Sequence, residues 1–142
     1  MARKFTLKRS GDRALSFRGK LVATAGEQAG QGEGKERWHT ISVYHTETDK
    51  LVAAIDYFAT WEGEEEWSVA YVAMSPVELL KLLQEHDPLS CVFGYPDTAQ
   101  FKGRNEHMKR VLTTRYDNAL ASVLATATKK LGDLGDEFVE TI

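Results

Sequence analysis

The feature that most constrains the fold is a pair of alternating segments separated by a short polar turn. The first segment runs from Trp38 to His45 and the second from Leu51 to Trp61. In both segments apolar side chains recur at every second position, which is the period of a β-strand with one buried face. The two segments therefore predict a long β-hairpin and an antiparallel sheet as the scaffold of the chain.

The residues of the turn decide which side chains share a face of this hairpin. A loop formed by Thr48, Asp49 and Lys50 gives one register. A four-residue loop would slip the register by one and turn Asp56 toward the buried face, where an unpaired carboxylate costs on the order of several kcal/mol. We therefore favour the three-residue loop, although Lys50 suits its usual left-handed position poorly.

With this loop the hairpin has one apolar face, which is predicted to form the core. That face consists of Ile41, Val43, Ala53, Ile55, Tyr57, Ala59 and Trp61, with His39 and His45 toward its rim. The opposite face mixes aromatic and polar residues: Trp38, Thr40, Ser42, Tyr44, Ala54, Asp56, Phe58 and Thr60. A solvated sheet face needs no aromatic residues, so we interpret this one as a docking surface whose partner-binding residues are Trp38, Thr40, Tyr44 and Phe58.

The remaining strands follow from the same alternation. Phe5 and Leu7 indicate a first strand, and the segment from Leu15 to Ala23 indicates a second. The segment from Trp67 to Met74 indicates a fifth strand after the central hairpin. Between the second and third strands, the glycine-rich segment 26–36 is predicted to be a flexible loop.

The period then changes from two to 3.6 residues, which indicates helices. Ser75, Pro76 and Glu78 combine an N-cap, a first-turn proline and a capping-box glutamate, and Pro88 ends this first helix. A second helical pattern extends from about residue 98 to residue 131. Its unbroken length would be roughly 50 Å, so either Gly103 interrupts it or it projects and pairs with a second subunit.

Strands followed by helices indicate an α+β fold: a five-stranded antiparallel β-meander followed by two main α-helices packed on the sheet. At 142 residues the chain suits a single domain, 1–142, with a short helix expected in its tail, 133–142. No apolar run is long enough for a membrane span, so we expect a cytoplasmic protein. The single Cys91 excludes an internal disulfide.

Positive charge is concentrated at the start of the chain. The first twenty residues contain seven cations and one acid, Asp12, although the net charge of the whole chain is -3. Local cation density can bind phosphate groups, whereas the alternative is a charged edge strand that resists aggregation. The candidate nucleic-acid-binding residues are Lys4, Lys8, Arg9, Arg18 and Lys20.

No motif reaches catalytic or metal-binding specificity, and we predict no cofactor. His39 and His45 would lie about 20 Å apart along one strand, too far to share an ion. Cys91 lies in an apolar run that is typical of an inert core thiol. Asp56 is the one mid-strand carboxylate between aromatic residues, and we expect it to be solvated or paired with a cation, opposite Ser42.

Three functional hypotheses remain. The first is a cytoplasmic, non-enzymatic protein–protein interaction module that forms a homodimer and whose partner contacts the aromatic face or the long helix. The second is single-stranded nucleic-acid binding through the basic N-terminal strands and the same aromatic residues. The third is a small enzyme that uses Asp56 or a histidine in a pocket under the curved sheet; a hollow sheet would favour it, and a filled core would count against it.

Overall fold

The chain forms a sheet of five strands and two long helices within the residues that the computed structural model describes, 2–26, 37–59, 66–89 and 102–138. The strands are β1 (Arg3–Leu7), β2 (Leu15–Ala25), β3 (Arg37–Thr46), β4 (Leu51–Ala59) and β5 (Trp67–Ala73). The helices are α1 (Pro76–Glu85) and α2 (Lys102–Lys130), and a 3-10 turn follows at Gly135–Phe138. The strands pair antiparallel in sequence order, which confirms the predicted α+β meander.

The central hairpin has a three-residue loop, but the loop lies one residue earlier than predicted. The Thr46 amide donates to the Lys50 carbonyl over 2.8 Å, so Glu47, Thr48 and Asp49 form the loop. Asp49 takes the left-handed conformation with φ 63°. Aspartate tolerates this conformation better than lysine does, which explains why Lys50 is not used there.

This shift moves the cross-strand pairs without exchanging the two faces of the sheet. His45 pairs with Leu51, and Asp56 lies opposite Thr40 rather than the predicted Ser42. Moving the loop by one residue changes the cross-strand partner of each residue by two positions. Because side chains alternate between the faces, each described side chain keeps its predicted face. The face assignment is therefore confirmed from Trp38 to Phe58, whereas the position opposite Asp56 was predicted wrongly. Thr60, Trp61 and the side chain of Ala59 lie outside the described residues.

The main core lies between the apolar face of the hairpin and the helices. Ile41, Val43 and Ile55 are at most 2% exposed and pack in one cluster with α1 and α2. The helix residues buried in this cluster are Leu79, Leu83, Tyr116, Ala119, Leu120, Val123 and Ala127. Their spacing places one stripe of each helix on the sheet, as the helical periodicity predicts.

The ends of α1 agree with the predicted capping signals. Ser75 Oγ accepts the Glu78 amide over 3.2 Å, and Pro76 is the first helical residue. The helix ends at Glu85, where the His86 amide donates to the Leu82 carbonyl. A local residue thus satisfies one polar group at each end of this helix, as its N-terminal sequence indicated for the start.

Helix α2 is continuous through Gly103, so this glycine does not interrupt it. Its 29 residues correspond to about 43 Å. The part of α2 from Leu112 to Ala127 supplies its buried side chains. The predicted beginning of the helix near residue 98 lies outside the described residues.

The sheet curls because β2 bends. The first hairpin, which consists of β1 and β2, therefore lies across one face of the sheet. The pairing of β2 with β3 shifts between Leu21 and Ala23, and such a bulge increases local twist. The turn after β1 then reaches β5: the Ser10 amide donates to the Ser68 carbonyl over 2.7 Å. The Ser68 amide donates in return to Ser10 Oγ over 2.9 Å. These two bonds join the two sides of the curled sheet.

A second, smaller core fills the inside of this curl. Tyr44, Val52 and Ala54 are buried there beneath four side chains of the first hairpin: Phe5, Leu7, Leu15 and Phe17. The face that the sequence assigned to docking is therefore covered over part of its area by β1 and β2.

Several predicted features lie outside the described residues, including the glycine-rich segment from 27 onward, the thiol of Cys91 and the last four residues. In the tail, the predicted short helix corresponds to the 3-10 turn at Gly135–Phe138. Leu134 and Phe138 pack against the main core. None of the helices in the described ranges is long and apolar enough to cross a membrane.

Candidate functional site

The aromatic residues predicted to bind a partner occupy two different environments. Trp38 and Phe58 stack with their ring centroids 5.3 Å apart, and both side chains are half-buried. Thr40 lies beside them, and its hydroxyl donates to the Gly26 carbonyl over 3.3 Å. Trp38, Thr40 and Phe58 thus lie together at one end of the face.

Tyr44 is separated from this group because it belongs to the small core inside the curl. Its side chain is 9% exposed. The rings of Phe5 and Phe17 cover it, with centroid distances of 4.8 and 5.3 Å. Burial is the largest cause that raises the pKa of Tyr44, so its hydroxyl stays protonated at neutral pH. A partner could reach Tyr44 only if the first hairpin moved.

Three of the five predicted basic residues form a row, which we call the basic strip: Lys4, Arg18 and Lys20. Lys4 lies directly opposite Arg18, and all three side chains are exposed. Because side chains alternate along a strand, the basic strip faces away from Phe5 and Phe17. The strip and the covering aromatic residues therefore lie on opposite faces of the first hairpin.

The other two predicted basic residues lie near the turn after β1. Lys8 is exposed. Arg9 is engaged locally, since its Nε donates to the Arg13 carbonyl over 2.7 Å and its Nη1 lies 3.8 Å from Asp12 Oδ2. Both residues lie beyond the end of β1, outside the paired part of the first hairpin.

Asp56 is half-buried and forms no ion pair within the described ranges, so the cation pairing considered for it is not seen there. Arg18 on β2 lies 3.5 Å from Glu47. Burial raises the pKa of the Asp56 carboxyl, a hydrogen bond from Ser68 partly offsets this, and the charge of Glu66 raises it further. The folded protein therefore disfavours the ionised form of Asp56.

Replacing Asp56 with asparagine is expected to raise the melting temperature at pH 7. The carboxyl has a higher pKa folded than unfolded, so its ionisation at rising pH destabilises the fold, and a neutral amide avoids this penalty. The gain should shrink as the pH falls and the wild-type carboxyl becomes protonated. Thermal melts of Asp56→Asn and of the exposed Asp133→Asn as a control would check this; an unchanged or lower melting temperature for Asp56→Asn would contradict it.

The structure also assembles a cluster of histidine and tyrosine rings, which sequence reasoning missed. His39 on β3 is 2% exposed, and its ring centroid lies 5.1 Å from Tyr57 and 5.6 Å from Tyr116. His86 lies 5.6 Å from the other side of Tyr116 and 5.8 Å from Tyr71. The alternation of β3 placed His39 on the buried face, but no local pattern connects it to residues of β5, α1 and α2.

Hydrogen bonds fix the orientation of the rings in this cluster. Tyr116 donates its hydroxyl to the Leu83 carbonyl over 2.7 Å. The Tyr71 hydroxyl lies 2.8 Å from His86 Nδ1. Burial raises the pKa of Tyr71, so its hydroxyl stays protonated at neutral pH; which of the two groups donates depends on whether the proton of His86 lies on Nδ1 or on Nε2. That Nε2 atom is buried, and no acceptor among the described residues reaches it.

Both histidines of the cluster are neutral at pH 7. Burial lowers the pKa of His39 to about 4, a hydrogen bond with the Pro88 backbone partly offsets this, and His86 lowers it further. Burial also lowers the pKa of His86, and Asp87 partly offsets that effect. Neutral imidazoles can accept or donate protons, but the described residues contain no group of three metal-ligating side chains.

Two open clefts flank α2 beside this cluster. One, of about 460 Å³, is lined by Gln84, His86 and Tyr116 among others. The second, of about 430 Å³, is lined by Trp38, His39 and other residues. The rings of the cluster thus form the wall between two shallow surface clefts, and they pack there as part of the sheet–helix interface.

Comparison with known proteins identified no relative of this chain. No protein-family model, no curated protein and no solved structure matches it. Functional inference therefore rests on its own residues.

Proposed function

We propose that this protein is a cytoplasmic, non-enzymatic interaction module that forms a homodimer through an edge patch consisting of Val72, Met74 and Val77. The observation that carries the proposal is the exposure of these apolar side chains, which is 42%, 67% and 60% respectively. They lie close together in the chain, at the end of β5 and the start of α1, and Val72 also lines a cleft with Leu15 and Phe17. Neighbouring exposed apolar residues of this kind are typical of an association surface.

The backbone of β5 supports the same surface. Ser68 exchanges hydrogen bonds with Ser10, so its backbone points away from β4. Because alternate residues of an antiparallel strand point the same way, Ala70 and Val72 also direct their N–H and C=O groups to this outer edge. The Met74 amide beyond them is bound by the Glu78 carboxylate over 3.2 Å. Two residues of strand edge thus remain available for pairing.

The distribution of charge favours a second copy of this chain as the partner that binds the outer edge of β5. β5 is the only described strand without a charged residue. The other edge strand, β1, carries Arg3 and Lys4, so two β1 edges would repel each other. Two β5 edges instead place neutral residues opposite neutral residues, and a twofold axis brings each edge patch against its copy.

The packing inside the curl counts against the enzyme hypothesis built on Asp56. Phe5, Phe17 and Tyr44 contact one another there. These side chains occupy part of the place where a pocket under the curved sheet was considered, and a cleft of about 470 Å³ remains beside Phe17 and Val52. The single Cys91 is consistent with the proposed reducing compartment.

Replacing Val72 with lysine is expected to convert the dimer to a monomer. The substitution places two unpaired charges at the twofold contact, and we expect the dissociation constant to rise by roughly 100-fold or more because burying an unpaired charge costs several kcal/mol. Size-exclusion chromatography with light scattering over a range of protein concentrations measures this change.

Leu21→Lys provides a matched control for that experiment. Leu21 is also an exposed apolar strand residue, at 45%, but it lies on β2. The proposal expects Leu21→Lys to remain dimeric. It would be overturned by a wild-type protein that is monomeric at every concentration, or by a dimer that dissociates with Leu21→Lys and persists with Val72→Lys.

A further inference from the structure

We infer that the basic strip, Lys4, Arg18 and Lys20, is a second interaction surface, which binds the phosphate backbone of nucleic acid without reading its base sequence. The inference rests on the arrangement of charge on the outer face of the first hairpin. It does not depend on the edge patch or on dimer formation.

Two cations of the strip lie directly opposite each other. Lys4 and Arg18 are cross-strand partners in the ladder between β1 and β2. Like charges at opposed positions destabilise a sheet, where favourable pairs contribute roughly 0.2–1 kcal/mol. A bound anion would turn this repulsion into two favourable contacts.

Acidic residues neutralise only part of the positive charge of the strip. Glu47 lies 3.5 Å from Arg18. Asp49, the other nearby acid, accepts a hydrogen bond from His45, the cross-strand neighbour of Lys20, over 2.6 Å. Within the described part of the chain, neither Lys4 nor Lys20 forms an ion pair.

The chemistry of the neighbouring side chains favours phosphate as the partner. The uncharged residues next to the Lys4–Arg18 pair on the same face are Thr6 and Ser16, which are exposed and lie opposite each other. Protein surfaces that bind membranes place apolar side chains among their cations. Hydroxyl groups beside cations are instead typical of contacts to phosphate oxygens.

The strip has no feature that would select single strands over double strands. Proteins that prefer single strands stack the unpaired bases on aromatic side chains beside the cations. In this protein Phe5, Phe17 and Tyr44 point to the opposite face of the hairpin and are packed against one another. The strip therefore has charge without a stacking platform, and we expect comparable binding to single-stranded and double-stranded DNA.

The test is fluorescence anisotropy with labelled single-stranded and double-stranded DNA of mixed sequence, at several salt concentrations. Three phosphate contacts predict a slope of about -2 to -3 for the logarithm of the binding constant against the logarithm of salt concentration. That slope corresponds to a roughly 20- to 60-fold loss of affinity between 50 and 200 mM salt.

Lys4→Gln should weaken DNA binding, whereas Glu47→Gln should strengthen it. Lys4→Gln should reduce the magnitude of the salt slope by about 0.7–0.9, because one phosphate contact is lost. Glu47→Gln should increase affinity, because it frees Arg18 from its acidic neighbour. Lys81→Gln, an exposed cation on α1, is the matched control and should change neither quantity. Circular dichroism of each variant would verify that the fold is retained.

Three results would overturn the inference. One is the absence of DNA binding at 50 mM salt. A second is a change in DNA affinity that is equal for Lys4→Gln and Lys81→Gln. The third is tighter binding to phosphatidylserine vesicles than to DNA at matched charge, which would identify a membrane surface as the partner.

Discussion

Replacing Tyr116 with alanine is expected to lower the free energy of unfolding by about 3–5 kcal/mol, the usual range for removing a large buried aromatic side chain. Tyr116 is 2% exposed and lies between the rings of His39 and His86. The substitution would open a cavity at the point where β3, α1 and α2 meet. Urea denaturation followed by tryptophan fluorescence or circular dichroism would measure the change.

Tyr116→Phe is the matched variant, because it keeps the ring and removes only the hydroxyl. That hydroxyl satisfies the Leu83 carbonyl in the last turn of α1, where helical partners run out. Losing this hydrogen bond should destabilise the protein by about 1–3 kcal/mol. If both variants changed stability by less than 1 kcal/mol, Tyr116 would not connect the two helices as described.

The second large effect is a loss of stability under mild acid. Burial lowers the pKa of His39 to about 4, against an ordinary value of 6.5. As the pH falls below 6.5, the unfolded chain takes up a proton at this residue and the folded protein does not. The free energy of unfolding therefore falls by about 3 kcal/mol in total as the pH drops from 6.5 to 4, whereas this residue causes no loss above neutral pH. The depressed pKa of His86 acts in the same direction.

His39→Phe separates this effect from general acid denaturation. Phenylalanine fills a similar volume between Tyr57 and Tyr116 but does not titrate. The free energy of unfolding of wild type and variant should be measured in urea at several values between pH 8 and pH 4. We expect the variant to lose less stability across this interval; parallel pH profiles would show that His39 does not carry the effect.

The sequence allowed accurate prediction of elements whose signals are local. The alternation from Trp38 to Trp61 predicted the two faces of the central hairpin, since period-two burial depends on neighbouring residues alone. The signals at Ser75, Pro76 and Glu78 predicted the start of α1 for the same reason. The hairpin loop was displaced by one residue because Asp49, rather than Lys50, takes the left-handed position.

The curl of the sheet could not be predicted because it depends on contacts between distant residues. Nothing near Ser10 in the sequence indicates its hydrogen bonds with Ser68, 58 residues away. The bulge between Leu21 and Ala23 has no glycine or proline at the shifted positions to reveal it. Without the curl, Tyr44 resembles an exposed aromatic residue of a docking face, whereas the first hairpin covers it.

The candidate surfaces were predictable to different degrees. The concentration of cations near the N-terminus was evident, but only the register of β1 and β2 shows that Lys4 faces Arg18. The edge patch was not selected, because Val72 and Met74 fit the apolar pattern of an ordinary buried strand. Their exposure depends on β5 lying at the edge of the sheet.

Amide hydrogen exchange at Ala70 and Val72 would show whether β5 pairs with β5 of a second copy, as we propose. These two amides point to the open edge, so pairing should protect them in proportion to the dimer population. Exchange measured by NMR at low and high protein concentration should show their protection rising with concentration, while β1 stays unchanged. Fast exchange at both residues, independent of concentration, would contradict the claim.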